Sequence, residues 1–126
     1  KKEKKYNKII SIAVLHHLET IHEQIYAIKN LCNYLCEDGK LLVSFWSMEK
    51  SFNELNISKS DCRNFTLGPN YVDWKLNNNI IKRYYYIHDY NSITELAKNI
   101  DIPGINYKIT WEEQNWFILF NYDKSI

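Results

Sequence analysis

Two adjacent histidines, His16 and His17, close an apolar run that reads IISIAVL at residues 9–15. An imidazole exchanges protons near neutral pH and either donates or accepts a hydrogen bond. A pair at one strand end therefore suits acid–base work or the gripping of a polar ligand. The same pair would equally serve as a strand-end cap with one ring packed on the sheet edge. Further along, Arg83 stands beside Tyr84 and Tyr85. That block offers a cation for phosphate or carboxylate, and rings on which a base can stack. Its alternative is an ordinary aromatic strand, in which alternation sends Tyr84 and Tyr86 to one face and Tyr85 to the other. Trp46 and the pair Asn115-Trp116 fall at the ends of apolar runs, where the indoles either wall a pocket or fill a core. His16, His17, His22, Cys32 and Cys36 are metal-ligating types, but Cys32 and Cys36 lie four apart on a helical pattern and not in a closely spaced loop set. No metal is expected.

These residues need elements to hold them. The run at residues 9–15 is rich in Ile and Val and lacks polar alternation, which predicts a strand buried on both faces of a parallel sheet. In open α/β sheets ligands sit outside the carboxyl ends of strands, and the two histidines fall there. Residues 1–8 read as a frayed polar approach. Thr20 and Glu23 have capping-box spacing, and apolar residues at 21, 25, 28, 31, 32 and 35 form a helical stripe over residues 20–36. Gly39 would stop that helix, and residues 40–46, KLLVSFW, would form a second strand parallel to the first. Residues 47–79, rich in Asn, Ser and Lys, read as a loop or insertion with residues 71–76 as an anchored patch. Residues 80–88 return to extended character. Ser92 and Glu95 predict a second capped helix, and residues 106–111 and 116–122 an antiparallel hairpin.

Composition bounds the class. With 126 residues, 45% hydrophobic, 15% aromatic and 25% charged, the chain is one folded domain's worth of sequence. A net charge of +1 gives no global field, so nucleic-acid contact would require a local patch. Three cysteines without paired spacing fit reduced thiols. No apolar run approaches membrane-spanning length, and no membrane partner is expected. Glycine occurs only at Gly39, Gly68 and Gly104, so the chain carries no phosphate-cradling glycine loop of its own. The lysine run opens directly into a buried-type strand, as a domain cut in its middle would.

In order, IISIAVLHHL at residues 9–18, LCEDGKLLVSFWSMEK at 35–50, YVDWKL at 71–76, RYYYIHDYNSITEL at 83–96 and NWFILF at 115–120 resemble the C-terminal half of the eukaryotic tRNA wobble-uridine methyltransferases. Those S-adenosylmethionine-dependent enzymes esterify 5-carboxymethyluridine and include a methyltransferase domain fused to an AlkB-type dioxygenase. The chain departs from them in having Asn7 where the family usually has Asp before the strand, and Glu37-Asp38-Gly39 in place of Pro-Gly-Gly. The resemblance implies an α/β fold, the C-terminal part of a class I (Rossmann-like) methyltransferase sheet in which parallel strands end in an antiparallel hairpin. On that reading residues 1–126 are the C-terminal half of one methyltransferase domain, and the glycine-rich cofactor loop lies upstream.

The resemblance further implies S-adenosylmethionine as cofactor, with Ala13, Val14 and His17 flanking it and His16 and His17 as catalytic residues. Trp46, Arg83, Tyr84, Tyr85, Asn115 and Trp116 would bind substrate. The implied partners are tRNA and a small zinc-binding activator subunit, in the cytoplasm and also the nucleus. An uncovered apolar edge implies self-association of this piece. Two other classes fit parts of the pattern: a methyltransferase-like interaction module without catalysis, and a class I methyltransferase for a small molecule.

Overall fold

A computed structural model describes residues 4–49 and 66–123. Strand β1 (Tyr6–Ser11) pairs in parallel with β2 (Leu35–Trp46), joined through helix α1 (Ile21–Cys32). Helix α2 (Tyr90–Lys98) precedes strands β5 (Ile105–Glu112) and β6 (Asn115–Tyr122), which form an antiparallel hairpin. Strand β6 also pairs antiparallel with β2, giving a sheet of order β1-β2-β6-β5. A separate ribbon pairs β3 (Gly68–Leu76) with β4 (Asn79–Ile87).

One sheet face carries the core. Leu41, Val43 and Phe45 of β2 stand opposite Phe120, Ile118 and Trp116 of β6, and all six are buried. Ile28 and Cys32 of α1, with Ile93, Leu96 and Ala97 of α2, complete that cluster. Both helices therefore cover the same side of the sheet, their apolar stripes at helical spacing turned toward it. The other face carries Ile10, Leu42, Phe117 and Leu119, and among the described residues no helix packs there. Ile10 is 69% exposed.

The parallel pair matches the expected one, with Ile9 to Ser11 aligned on Leu41 to Val43. Its boundaries differ. The strand begins at Tyr6, before the end of the expected approach, and stops at Ser11 instead of Leu15. Ala13 then takes a φ of 58°, and Leu15–His17 form a short 3-10 turn. Thr20 caps α1 as expected, accepting from the Glu23 N–H at 3.1 Å, but the helix ends at Cys32. Gly39 is no helix stop. It lies within β2 beside a bulge in the β1 register, where a Cβ would come 2.7 Å from the Cys36 carbonyl oxygen.

Two further expectations are corrected. Residues 68–76 are a strand and not a loop, because Asn77 and Asn78, at φ of 49° and 67°, make the two-residue turn that closes a hairpin with β4. Residues 50–65 of the expected loop lie outside the described residues. The cap of α2 is Asp89 and not Ser92: the Asp89 carboxylate accepts from the Ser92 N–H at 2.8 Å, and Ser92 Oγ accepts from the Asp89 N–H at 3.0 Å. Ser92 thus fills the third helical position of the box.

Candidate functional site

At the carboxyl ends of β1 and β2 the 3-10 turn, the last residue of β2 and the end of β4 converge. Ser44 Oγ accepts from the Ala13 N–H at 3.0 Å, which fixes the loop leaving β1 and hence the two imidazoles that follow. His16 is 1% exposed, and its ring lies edge-on to His17, Trp46 and Tyr85 with centroids 4.5, 5.1 and 4.8 Å away. Tyr85 stacks flat on Trp46, centroids 4.1 Å apart and planes within 3°. Such packing fixes all four rings against one another.

The two histidines differ. Burial, and secondarily the neighbouring His17, push the His16 imidazole down to about 4, so it is neutral near pH 7. Its Nδ1 is buried without a hydrogen-bond partner among the described residues. A polar nitrogen left in that state costs about 1–3 kcal/mol unless something arrives to pair with it. His17 is exposed, and its Nδ1 stands 2.8 Å from the Tyr84 carbonyl oxygen. A carbonyl only accepts, so Nδ1 carries the proton in that bond, and neutral His17 keeps Nε2 as an acceptor. Tyr84 is held in turn, its hydroxyl donating to the Glu19 carbonyl at 2.6 Å.

The remaining expected site residues divide. Ala13 and Val14 form an exposed lip immediately before the histidines. Arg83 does not join Tyr84 and Tyr85 at the rings; its guanidinium lies 4.4 Å over Trp74, further out on the ribbon. Asn115 is half-buried and tied to its own turn, Nδ2 donating to the Glu113 carbonyl at 2.9 Å. Trp116 sits on the core face, its indole N–H donating to Glu49 Oε1 at 3.2 Å. A concavity of about 420 Å³ lined by Tyr6, Lys8, Ile9, Leu31 and Tyr34 lies at the amino end of β1, away from the histidines.

Two polar clusters support the site. His88 is fully buried, with Nε2 2.8 Å from Gln24 Oε1 and Nδ1 2.8 Å from Ser92 Oγ. Gln24 donates its amide to the Leu18 carbonyl at 3.3 Å, which turns Oε1 toward His88 and assigns the imidazole proton to Nε2. Burial pushes His88 down to about 4. This chain of bonds ties α1, β4 and α2 together directly behind the 3-10 turn. Glu49, meanwhile, accepts from the Tyr90 N–H at 2.9 Å at the start of α2, a favourable place for a carboxylate. Ser47 Oγ donates to Glu49 Oε1 at 2.9 Å and accepts from the Trp111 indole at 2.9 Å. The sequence did carry a signal for Gln24, a polar residue between Ile21 and Ile28 on the buried stripe. Nothing comparable marked His88.

Comparison with known proteins gives the fold a name. The chain superposes on an S-adenosylmethionine-dependent methyltransferase of Clostridium acetobutylicum with a TM-score of 0.60 over 98% of its length, at 11% identity. It matches the CcbJ methyltransferase of Streptomyces caelestis with a TM-score of 0.62 at 9% identity, over 94% of this chain. The glycopeptide N-methyltransferase MtfA, solved with S-adenosyl-L-homocysteine, gives 0.54 at 9% identity over 94% of this chain. The chain spans 61%, 61% and 55% of those three structures. In sequence, 45 residues, 36% of the chain, are 40% identical to the probable tRNA methyltransferase 9B of Mus musculus and of Homo sapiens. The same length is 38% identical to the tRNA (carboxymethyluridine(34)-5-O)-methyltransferase ALKBH8 of Macaca fascicularis. These stretches are 10%, 10% and 7% of the relatives' lengths. No family model matches the chain. The α/β fold is that of the class I methyltransferases, and part of the chain is similar to tRNA methyltransferases.

Proposed function

We propose that this chain is the C-terminal part of an S-adenosylmethionine-dependent methyltransferase that esterifies the carboxymethyl group of a wobble uridine in tRNA. The observation that carries the reading is the ring cluster of His16, His17, Trp46 and Tyr85 at the carboxyl edge of β1 and β2. That edge is where open α/β sheets bind ligands. The similarity to the tRNA enzymes supplies the substrate class.

The residues present fit one side of the cofactor. Ala13 and Val14 offer an exposed apolar lip, and His17 an acceptor nitrogen beside it. When bound, the cofactor supplies an electrophilic methyl group on sulfonium sulfur. The carboxylate oxygen to be methylated is already ionised at neutral pH, so the residues have little proton transfer to perform. Their work is alignment. His17, its ring pinned by the Tyr84 carbonyl, presents Nε2 to accept from a substrate donor such as the uracil N3–H. Trp46, backed by the buried Tyr85 ring stacked on it, offers a partly exposed indole against which a pyrimidine can pack. His16, buried behind them, positions the other rings. The reading includes tRNA as substrate, a small zinc-binding activator subunit as partner, and action in the cytoplasm and the nucleus.

The test is methyl transfer from radiolabelled S-adenosylmethionine to tRNA carrying 5-carboxymethyluridine, by the protein that contains this chain. Label is expected in an alkali-labile ester, falling at least about tenfold in His17→Ala. Equal transfer to tRNA lacking the carboxymethyl group would overturn the assignment.

A further inference from the structure

Among the described residues the β3–β4 ribbon is anchored at one end. Near that end Tyr85 packs on Trp46 and the histidines, Tyr84 bonds to the Glu19 carbonyl, and the His88 N–H reaches the Trp46 carbonyl at 3.3 Å. From there it runs outward to the Asn77-Asn78 turn. Its register puts Asn70 opposite Tyr85, Val72 opposite Arg83 and Trp74 opposite Ile81, so these six share a face. That face leads away from the ring cluster for about 13 Å between Tyr85 and Ile81. Trp74 and Ile81 on it are 45% and 46% exposed. Aromatic and branched apolar side chains left open on a projecting two-stranded ribbon mark a surface that something covers.

Charge identifies the occupant. Between residues 68 and 87 the chain carries Lys75, Lys82 and Arg83 against the carboxylate of Asp73, although its overall net charge is only +1. Lys82 is tied to Asp73 at 3.3 Å on the other face of the ribbon. Arg83 makes no ion pair among the described residues. Its guanidinium lies 4.4 Å over the Trp74 ring, and among the described residues no acceptor takes its N–H donors, which are the groups that grip a phosphate. An apolar protein partner would bury those donors unpaired. A nucleotide offers both a phosphate for Arg83 and a flat base for the apolar side chains.

We infer that the Trp74–Ile81–Arg83 face of the β3–β4 ribbon is a docking track for single-stranded RNA, holding the nucleotides that flank the one presented to the ring cluster. The inference rests on the proposed tRNA substrate and adds a location to it. The test uses the 126-residue chain and fluorescence anisotropy of a fluorescein-labelled, uridine-rich single-stranded RNA. Ile80 and Ile81 are sequence neighbours on opposite faces, both exposed, so their alanine variants separate the track from general ribbon damage. Trp74→Ala and Arg83→Gln are expected to weaken binding by about tenfold. Arg83→Gln should also lower the salt slope by about 1. Ile81→Ala should weaken binding about threefold, while Ile80→Ala leaves it unchanged, with circular dichroism the same for all four variants. RNA binding that ignores Trp74 and Arg83, or that falls equally for Ile80 and Ile81, would overturn the track and leave the tRNA reading standing. No binding of the RNA by the unaltered chain would overturn both. A Trp74→Ala variant that alters sedimentation but not RNA affinity would assign the face to a second copy of the chain.

Discussion

Acidification should unfold this protein through two histidines. His16 and His88 are each almost wholly buried and held neutral, their imidazoles pushed from an ordinary 6.5 down to about 4. In the unfolded chain both take up a proton near pH 6.5, whereas the folded chain resists until about pH 4. The unfolded state therefore binds more protons between those values, and stability rises with pH across that window. Their contribution is complete above about pH 6.5 and is lost progressively as the pH falls toward 4. Each histidine accounts for about 3 kcal/mol across the window, with a steepest slope of about 1.4 kcal/mol per pH unit. Together that is a large share of a domain stability of about 5–15 kcal/mol. Urea denaturation at a series of pH values measures it. His16→Phe keeps a ring against His17, Trp46 and Tyr85 while deleting the unpartnered nitrogen, so it should match or exceed the unaltered chain at pH 7 and lose half of the slope. His88→Leu should lose the other half, but it strands Gln24 Oε1 and Ser92 Oγ and costs about 2–4 kcal/mol at pH 7. A slope unchanged in both variants would refute the argument and place the acid sensitivity in carboxylates.

Gly39→Ala should destabilise by about 1–3 kcal/mol in thermal melts, because its Cβ would sit 2.7 Å from a backbone oxygen that cannot swing away. Isothermal titration of the 126-residue chain with S-adenosylmethionine should give no micromolar binding, since the sequence holds no glycine-rich turn for the cofactor; micromolar affinity would mean that other residues build the site. The chain should self-associate through the edge of β1 that no described strand pairs and the face around Ile10 that no described helix covers. Ile10→Lys should then shift sedimentation toward monomer, and a monomer at all concentrations in the unaltered chain would contradict this.

The βαβ unit and the terminal hairpin were legible from apolar runs of strand length and from the helical stripe of α1, although the run in β1 overstated its burial, since Ile10 is 69% exposed. Thr20 and Glu23 announced α1, and the run at residues 40–46 announced β2. Of the ribbon, the extended character of residues 80–88 was legible and became β4, while β3 was hidden for a physical reason. Both faces of β3 are largely exposed, so Tyr71 to Leu76 show no buried side from which a strand could be read. The ribbon's turn uses Asn77-Asn78 without the glycine that usually marks such hairpins. The α2 cap was misplaced because Ser92 reads as a cap residue, while Asp89, three residues earlier, takes the position and uses Ser92 as its return partner. Strand-end logic did place the histidines and Trp46 beside one another at the carboxyl ends of β1 and β2. It could not show that His16 would be buried with an unpaired nitrogen, or that Arg83 would turn away from the tyrosines onto Trp74, because both depend on contacts between residues distant in sequence.

Mass spectrometry of wobble nucleosides tests the central claim most directly. Total tRNA would be compared from cells whose gene encodes the unaltered chain and from cells carrying His17→Ala. Loss of the methyl ester of 5-carboxymethyluridine in the variant, with matching accumulation of the free acid, is the predicted result. An unchanged ester level in cells that depend on the variant protein would contradict it.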